Sequence, residues 1–451
     1  METQKPTPTP TPIPQECPNA DYCLSYGIKT QEITQLFHHY QDFSLVTQIT
    51  PIGQPSQNGF IRLLTYHLPI GSKQSYYSTA ILKSIKPLQT ADNLYYEYFV
   101  GQFVNYLATL FPFFVHTYNL VSYQDLDAHT TMANMTGKTQ SDLGGKIGQW
   151  LNKHLQIIPF QQVKSHFPEA CSNDVRLALL IETVKQPLTL TEIINVRNTP
   201  ETLQRANNFV NFDLMSICLL IYGTLATTCQ QFTHYDLHPN NILLIRCNDP
   251  HGFFEYNLHL YDPMTDEENR TITVYSQYLP KIIDYGRCYY HLDESRNSDQ
   301  FREDLCQICQ DCGRKSGFRT FNSTPSSETH YISPHRMNIS HDLRLIKIIS
   351  TWLKMNVPLM QSIADQLVYQ DQYGTPERST FGRSSQIMNV IDMSTKLISY
   401  FDNPQYKKIY FPQFPNNYSR YGSFDIHLTM EKPIAYIAHD FNRVGIIPSD
   451  S

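Results

Sequence analysis

Alternating apolar and polar positions predict a run of strands in the first third of the chain. From Phe43 the pattern appears in FSLVTQITPIG, GFIRLLTYHL and YYSTAILKSIK, which are separated at Gly53, Gly59 and Gly71. Three consecutive antiparallel strands are the simplest arrangement of these segments. The next stretch, DNLYYEYFVGQFVNYLATLF, changes to a helical period and is stopped by Pro112.

The middle of the chain alternates between apolar segments and polar ones. Phe113–Tyr123 and Val175–Val184 are predicted strands, and the polar, glycine-containing stretch 125–169 between them is predicted to be an insertion. LTLTEIINV predicts a short helix and Leu203–Gln230 a long one. Since the long helix is apolar on nearly all sides, we expect it to be central and buried.

Composition favours a globular protein with a sizeable core. The chain has 451 residues, 41% of them hydrophobic and 17% charged, which suits two or three domains or one two-lobed enzyme with insertions. Residues 1–30 are predicted to be a Pro/Thr-rich disordered tail and lead-in, because the prolines of PTPTPTPIPQ lack the backbone donors of a helix or sheet. From Phe43 onwards the patterned segments dominate.

Charge, cysteine content and hydropathy exclude several classes. The net charge of −6 provides no electrostatic footprint for nucleic acid. The ten cysteines lack the density of a disulfide scaffold. No apolar run approaches the ~18–20 residues of a membrane span, and no apolar leader follows the start. We therefore expect a soluble protein of a reducing compartment such as the cytoplasm.

Two polar motifs stand where packing alone would call for apolar residues. Thr233–Leu244, THYDLHPNNILL, places His, Asp and two Asn between the buried helix and an apolar strand. Further along, YLPKIIDYGRCYY places Asp284 and Gly286 directly after a β-branched strand. Carboxylate and amide oxygens are hard ligands, and a free carboxylate beside them can position an attacking hydroxyl. The two motifs predict a site for Mg²⁺ and a nucleotide.

These motifs resemble those of the protein-kinase superfamily. HYDLHPNN resembles the catalytic loop H-R-D-L-x-x-x-N, KIIDYG the strand and D-F-G that follow it, and TAILKSI the V-A-I-K strand. Their order matches over roughly Phe43 to Ile349. The Tyr- and Asn-rich texture, with segments such as YEYFVGQFVN, is similar to kinase-like proteins of large DNA viruses, which would place the chain in the host cytoplasm or the virion.

The resemblance implies a bilobal α+β fold. A small antiparallel β lobe with one helix would bind ATP over residues 31–184, with the insertion near 125–169. A larger, mainly helical catalytic lobe would follow over 185–451, with an inserted hairpin near 246–279.

The same resemblance assigns roles to five residues. Lys83 should contact the α- and β-phosphates of ATP and pair with Glu97, which lies in the following helix. Asp236 should act as the catalytic base that takes the proton of the acceptor hydroxyl. Asn241 and Asp284 should hold the Mg²⁺ that bridges the phosphates.

The nucleotide site would be completed by a phosphate-covering loop and by the strand between the lobes. The loop runs from Gly53 to Gly59 and has two glycines where the family has G-x-G-x-x-G, so its amides would cradle phosphate more loosely. Glu182, at the end of the strand between the lobes, is assigned to cofactor binding.

Other positions are expected to support the loop or to depart from the family pattern. His234 would hold the catalytic loop against the Asp-Tyr-Gly segment, Gly286 would allow a tight turn, and Asp342 would anchor the loop's backbone. Tyr235 replaces the usual arginine, which argues against regulation through a phosphorylated activation loop. His238 replaces a usual lysine, and the pattern H-x-D-L-H is similar to aminoglycoside and choline phosphotransferases.

Two further features have alternative interpretations. The segment Arg246–Leu279 is predicted to be an inserted hairpin, either a solvated decoration or a docking element beside the site. Cys306, Cys309 and Cys312 are free thiols or zinc ligands, with Cys288 or a histidine as the fourth ligand.

Three functions are compatible with these residues. The first is an ATP- and Mg²⁺-dependent serine/threonine kinase that acts on proteins. The second is a phosphotransferase that uses the same residues on a small hydroxylated acceptor. The third is a pseudokinase scaffold that binds nucleotide without turnover. Since Lys83, Asp236, Asn241 and Asp284 are all present, an active enzyme is favoured; the sequence leaves its acceptor and oligomeric state open.

Overall fold

The structure is a computed structural model, and it describes most of the chain. The described residues are 17–53, 59–70, 74–85, 94–139, 146–170, 176–195, 199–261, 268–293, 296–298, 300–301, 304, 319–323, 328–332, 336–352, 357–369, 386–414, 416–429 and 444–445. Together they form a mixed α+β protein with a large antiparallel sheet.

The helices and strands follow one another along the described residues. The helices are α1 (Ala20–Ser25), α2 (Thr30–Leu36), α3 (Leu94–Leu110), α4 (Leu126–Asn134), α5 (Ile147–His154), α6 (Phe167–Ala170), α7 (Leu190–Asn195), α8 (Pro200–Asn208), α9 (Leu214–Thr228), α10 (Arg344–Trp352), α11 (Pro358–Ala364), α12 (Val390–Asp402) and α13 (Pro404–Tyr410). The strands are β1 (Val46–Ile52), β2 (Gly59–Ile70), β3 (Gln74–Ile85), β4 (Thr117–Tyr123), β5 (Lys138–Thr139), β6 (Leu155–Ile158), β7 (Leu177–Glu182), β8 (Leu188–Thr189), β9 (Phe232–Thr233), β10 (Ile242–Arg246), β11 (Gly252–Tyr261), β12 (Glu268–Ser276), β13 (Tyr278–Ile282), β14 (Tyr289–Asp293), β15 (Arg296–Asn297), β16 (Arg319–Ser323), β17 (Glu328–Ile332), β18 (Ser419–Thr429) and β19 (Val444–Gly445).

A seven-stranded antiparallel sheet dominates the N-terminal part of the described chain. Its order is β5-β1-β2-β3-β7-β4-β6, and β1, β2 and β3 pair consecutively as their alternation predicts. The stretch 125–169, predicted to be an insertion, supplies both edge strands, β5 and β6. A long edge strand with unpaired backbone groups can pair with another chain. The edges of this sheet are short, because β5 has two residues and β6 has four.

Helix α3 packs closely against the sheet through a glycine. A Cβ at Gly101 would lie only 2.2 Å from the Thr117 Oγ1 at the start of β4, so a larger residue there would push the helix away. The side chains of Tyr95, Val104 and Leu107 are buried on this helix. The close packing fixes where the first turn of α3, with its carboxylate Glu97, stands relative to the strands.

The predicted central helix is buried, and it contains a π-helical turn. A π-helical turn at Phe209–Asp213 separates α8 from α9, and every residue of α9 is buried. The unit Pro200–Thr228 is long and apolar enough to cross a membrane by length and composition, yet 83% of its most apolar window is buried inside the protein. Its apolar surface is therefore covered by the core, as in the central helix of a globular protein.

The π-helical turn presents one buried carboxyl group, that of Asp213. Its Oδ1 accepts hydrogen bonds from Ser276 Oγ at 2.7 Å and from the Gln277 amide at 2.6 Å, while Oδ2 has no partner among the described residues. Burial raises the pKa of Asp213 to about 7, against the smaller opposing effect of these two hydrogen bonds. Below a pH of about 7, the group therefore joins the core helix to the β12–β13 junction in its protonated form.

Replacing Asp213 by Asn should flatten the dependence of stability on pH. Because the folded pKa is raised, the folded protein keeps a proton that the unfolded chain loses as pH rises from about 4 to about 7. The wild-type free energy of unfolding should fall across this window, by an amount on the order of 4 kcal/mol. Urea unfolding at several pH values measures the slope, and an equal slope in Asp213→Asn would show that another group titrates.

The predicted hairpin in Arg246–Leu279 is present as β11 and β12, and it belongs to a larger sheet. Within the described residues this sheet has the order β12-β11-β18-β19, and β18 from the far end of the chain pairs parallel to β11. Its inner face packs on α9, where Leu428 lies against Gly223. The region from 185 onwards, predicted to be mainly helical, is therefore a mixture of helices and sheet in its described part.

The N-terminal helix α1 joins three parts of the molecule. Asp21 accepts from the Thr79 amide of β3 at 2.7 Å, and Ser25 Oγ accepts from the amide of Lys185 at 3.0 Å. The ring of Tyr26 packs edge-on against Phe254 of β11. The packed structure therefore begins before the boundary at residue 31 that the sequence suggests.

Candidate active site

Lys83 connects two carboxylates that lie far apart in the sequence. Its Nζ lies 2.7 and 2.9 Å from the two oxygens of Glu97 and 2.8 Å from Oδ1 of Asp284. Glu97 is buried, whereas the side chains of Lys83 and Asp284 are 21% and 31% exposed. The predicted pair is in contact, and strand β3, helix α3 and the end of β13 meet at one point that solvent reaches.

The electrostatics of Asp284 favour its ionised form. Burial alone raises the pKa of this carboxyl, but the charge and hydrogen bond of Lys83, followed by the charges of His234 and Arg287, lower it below its usual range. Asp284 also adopts the left-handed conformation, with φ of 70°, which Asp tolerates better than most residues. The tight turn predicted at Gly286 is present, because the Cys288 amide donates to the Tyr285 carbonyl at 3.2 Å across Gly286 and Arg287.

The backbone of the loop that begins at Thr233 is anchored by Asp342. Its Oδ2 accepts from the His234 amide at 2.8 Å and its Oδ1 from the Tyr235 amide at 3.0 Å. The Nε2 of His234 in turn lies 3.0 Å from the carbonyl of Ile283, just before Asp284. Both positioning contacts match those expected for His234 and Asp342.

Tyr235 holds a strained turn that exposes the neighbouring carboxylate. Its φ is 63°, and the Asp236 amide donates to the His234 carbonyl at 2.8 Å across it. Such a three-residue turn is uncommon and costs about 1–3 kcal/mol. It persists because Asp342 binds the amides and the Tyr235 hydroxyl donates to the Arg336 carbonyl. The turn leaves the Asp236 side chain 26% exposed.

Asn241 links the loop to the strand that carries Asp284. Its Nδ2 donates to the Asp236 carbonyl at 2.9 Å, and its own carbonyl accepts from the Ile283 amide at 3.1 Å. The register of β10 and β13, with Ile242 opposite Ile282, brings Asn241 beside the segment that leads into Asp284. With Nδ2 committed to the loop, the amide oxygen is the group left to act as a ligand.

The side-chain oxygens of Asn241 and Asp284 are of the chemical type that binds the magnesium ion of a nucleotide. The described residues contain no group of three His, Cys, Asp or Glu side chains placed to hold a metal. Mg²⁺ is usually held by only one or two protein carboxylates together with substrate phosphates and water. Asp284 and the Asn241 amide oxygen meet that requirement.

Asp236 has a neutral imidazole on one side and a guanidinium on the other. His238 Nε2 lies 3.9 Å from Oδ1, and Arg287 Nη1 lies 3.5 Å from Oδ2. Burial lowers the pKa of His238 although Asp236 opposes this. Because Nδ1 accepts from the Asn240 amide at 3.3 Å, the proton of His238 is on Nε2, the nitrogen nearer Asp236.

The buried carboxylate of Glu182 is bound by His116 and Lys281 in the interior. It accepts from the amide and Nδ1 of His116 at 3.0 and 2.8 Å, and from Lys281 Nζ at 3.4 Å. Burial alone raises the pKa of Glu182, and the charge of Lys281 then lowers it below its usual range. The side chain assigned to cofactor binding thus joins β7 to β13 in the interior. Lys281 is the single charged residue in the apolar run YLPKII. A buried charge needs a partner of opposite sign, and this was the sequence signal for the pair.

The two glycines of the predicted phosphate-covering loop differ in why a glycine is needed. Gly53 has φ of 67° and open space around it, whereas a Cβ at Gly59 would fall 2.1 Å from the Ser84 carbonyl. Residues 54–58 between them lie outside the described residues. The three-cysteine cluster, Cys306, Cys309 and Cys312, also lies outside them, and Cys288 is buried.

Comparisons with known proteins leave the site to be interpreted from its own geometry. No family model and no curated protein matches the chain. The functional argument therefore depends on the placement of Lys83, Asp236, Asn241 and Asp284.

Proposed function

We propose that this protein is an ATP- and Mg²⁺-dependent phosphotransferase, most simply a protein serine/threonine kinase. In this proposal the seven-stranded sheet with α3 is the ATP-binding lobe of a bilobal kinase-like fold, and the region from 185 is its catalytic lobe. The observation that carries the proposal is Lys83, held between Glu97 and Asp284. A lysine that reaches solvent between two carboxylates is placed to receive phosphate oxygens.

Each residue then has a step in the transfer. Asp236 accepts the proton of the acceptor hydroxyl, whose oxygen forms a bond to the γ-phosphorus of ATP. The bond from that phosphorus to the β,γ-bridging oxygen breaks, and ADP leaves with Lys83 on its phosphates. Mg²⁺, when bound to Asp284 and Asn241, would neutralise phosphate charge.

The loop contacts support a positioning role for the residues around the base. Asp342 and His234 hold the backbone just before Asp236, and Asn241 holds the carbonyl of Asp236. Since this type of catalysis depends mostly on positioning and charge neutralisation, a base within a rigid frame is what the reaction needs.

A small hydroxylated acceptor is the alternative, and His238 is the observation that favours it. Its pKa is lowered by burial, so at neutral pH it brings no cation to the acceptor side of Asp236. A neutral imidazole can donate a hydrogen bond to an uncharged alcohol. The acceptor experiment separates the two classes.

The proposal is tested first by nucleotide binding. Mg-ATP should raise the melting temperature of the wild-type chain, because a ligand at 100 times its Kd stabilises by about 2.7 kcal/mol. Lys83→Met should lose most of this shift, whereas Lys29→Met, which removes an exposed lysine paired with Glu32, should keep it. No shift at millimolar Mg-ATP would refute the phosphotransferase proposal.

Transfer is tested next with γ-labelled ATP. Casein serves as the protein acceptor and choline as a small one, beside an autophosphorylation control. Label on protein supports the kinase, and label on choline alone supports the alternative. Nucleotide binding without label in any arm would indicate a pseudokinase.

A further inference from the structure

The cation beside Asp236 is Arg287, a residue that the motif comparison does not assign. It follows the Asp-Tyr-Gly segment and precedes β14, and its Nη1 lies 3.5 Å from Asp236 Oδ2. Only 14% of its side chain is exposed. The guanidinium is therefore held in the site and is not a solvated surface group.

The charge of Arg287 reaches several groups of the site. It contributes to lowering the pKa of Asp284, after the larger effect of Lys83, and to lowering the pKa of His238, after the larger effect of burial. The charge thus acts on the carboxylate of Asp284 and lies directly beside that of Asp236.

Two other basic side chains lie in this site. Lys83 lies between Glu97 and Asp284, where the proposed function places it on the phosphates of the leaving ADP. Burial lowers the pKa of His238, so this side chain brings no cation at neutral pH. A phosphoryl group in transfer carries charge on its equatorial oxygens, and stabilising that charge needs cations or donors aimed at it. On the Asp236 side, the described structure supplies Arg287.

The contact between Arg287 and Asp236 is also loose enough to change. At 3.5 Å, it is longer than the contacts of a strong bidentate arginine–carboxylate pair. A guanidinium has five donors in a planar fork, so it can bind phosphate oxygens while it stays near Asp236.

We propose that Arg287 is a catalytic residue that binds the transferred phosphoryl group while Asp236 takes the acceptor's proton. This inference rests on the proposed function and deepens it: the cation for the phosphoryl group comes from the segment after Asp284, not from the catalytic loop. A purely structural Arg287 would instead only balance the charge of Asp236.

The test compares Arg287→Gln, Arg287→Lys and Arg420→Gln with the wild-type chain, using Mg-ATP and the acceptor that the wild type labels. Arg420 forms an exposed pair with Glu255 away from the site, so its variant should match the wild type. For Arg287→Gln we expect kcat to fall about 10²- to 10³-fold, as when one donor to a developing anion is removed. The KM for ATP and the Mg-ATP thermal shift should stay unchanged.

Arg287→Lys should recover part of the lost rate, because it restores the charge without the fork. In a further variant, Arg287→Ala, added guanidinium ion should raise the rate, which a structural defect would not allow. An unchanged kcat in Arg287→Gln, or a loss explained by a lower melting temperature, would overturn the assignment of Arg287 and leave the proposed function standing. A wild type that neither binds nor turns over Mg-ATP would overturn both.

Discussion

Asp236→Asn should lower kcat for phosphoryl transfer by about 10²- to 10⁴-fold, the usual contribution of a general base. Asn keeps the shape of the side chain but cannot take up the acceptor's proton. The loop should survive, because Asn241 binds the backbone carbonyl of residue 236 and not its side chain. Steady-state rates with labelled ATP measure the loss, and the Mg-ATP thermal shift should stay as in the wild type.

A matched substitution at the surface separates chemistry from general damage. Asp402 forms an exposed pair with Arg270, and Asp402→Asn should retain full activity. Transfer by Asp236→Asn at the wild-type rate would eliminate this carboxylate as the base. If the variant lost both transfer and the thermal shift, the substitution would have damaged nucleotide binding instead.

Lys281→Met should lower the free energy of unfolding by about 3–5 kcal/mol, as expected when one partner of a buried ion pair is removed. Lys281 is 1% exposed and Glu182 is fully enclosed, so the carboxylate would stay in the interior without that cation. The wild-type contribution is present at neutral pH because the folded pKa of Glu182 is lowered. It is lost as acid protonates Glu182. Urea unfolding at neutral pH measures the difference.

A double-mutant cycle tests whether the charge is the cause. Adding Glu182→Gln to Lys281→Met removes the buried anion, so the double variant should be more stable than the sum of the single effects predicts. Lys408→Met, at an exposed position, is the control and should change stability little. Additive losses in the cycle would mean that Lys281 acts through packing and not through its charge.

Local patterns were sufficient for much of the framework. The alternation in β2 and β3 and the apolar body of α9 predicted those elements because each segment has one consistent periodicity. Long-range pairing leaves no such signal. Nothing in the period of Ser419–Thr429 shows that it pairs parallel to β11, and the edge strands β5 and β6 are too short to show alternation.

In the site, too, local motifs were predictable from the sequence and long-range contacts were not. Motif spacing brought Lys83, Glu97 and Asp284 into one hypothesis, and the structure places these three in contact. The direction of Glu182 was unpredictable because β7 is buried on both faces, so alternation could not say which way its side chain points. Arg287 was not singled out because its position beside Asp236 arises only when the chain folds.

The contacts of α1 have a practical consequence for any shortened form of the protein. Asp21 contacts the large sheet, Ser25 contacts the backbone of Lys185, and Tyr26 contacts the sheet that contains β11. A chain shortened to begin at β1 would lose these contacts and expose the aromatic surface around Tyr76 and Phe254. Such a fragment would carry all the residues of the proposed chemistry, and we expect it to aggregate before that chemistry could be measured.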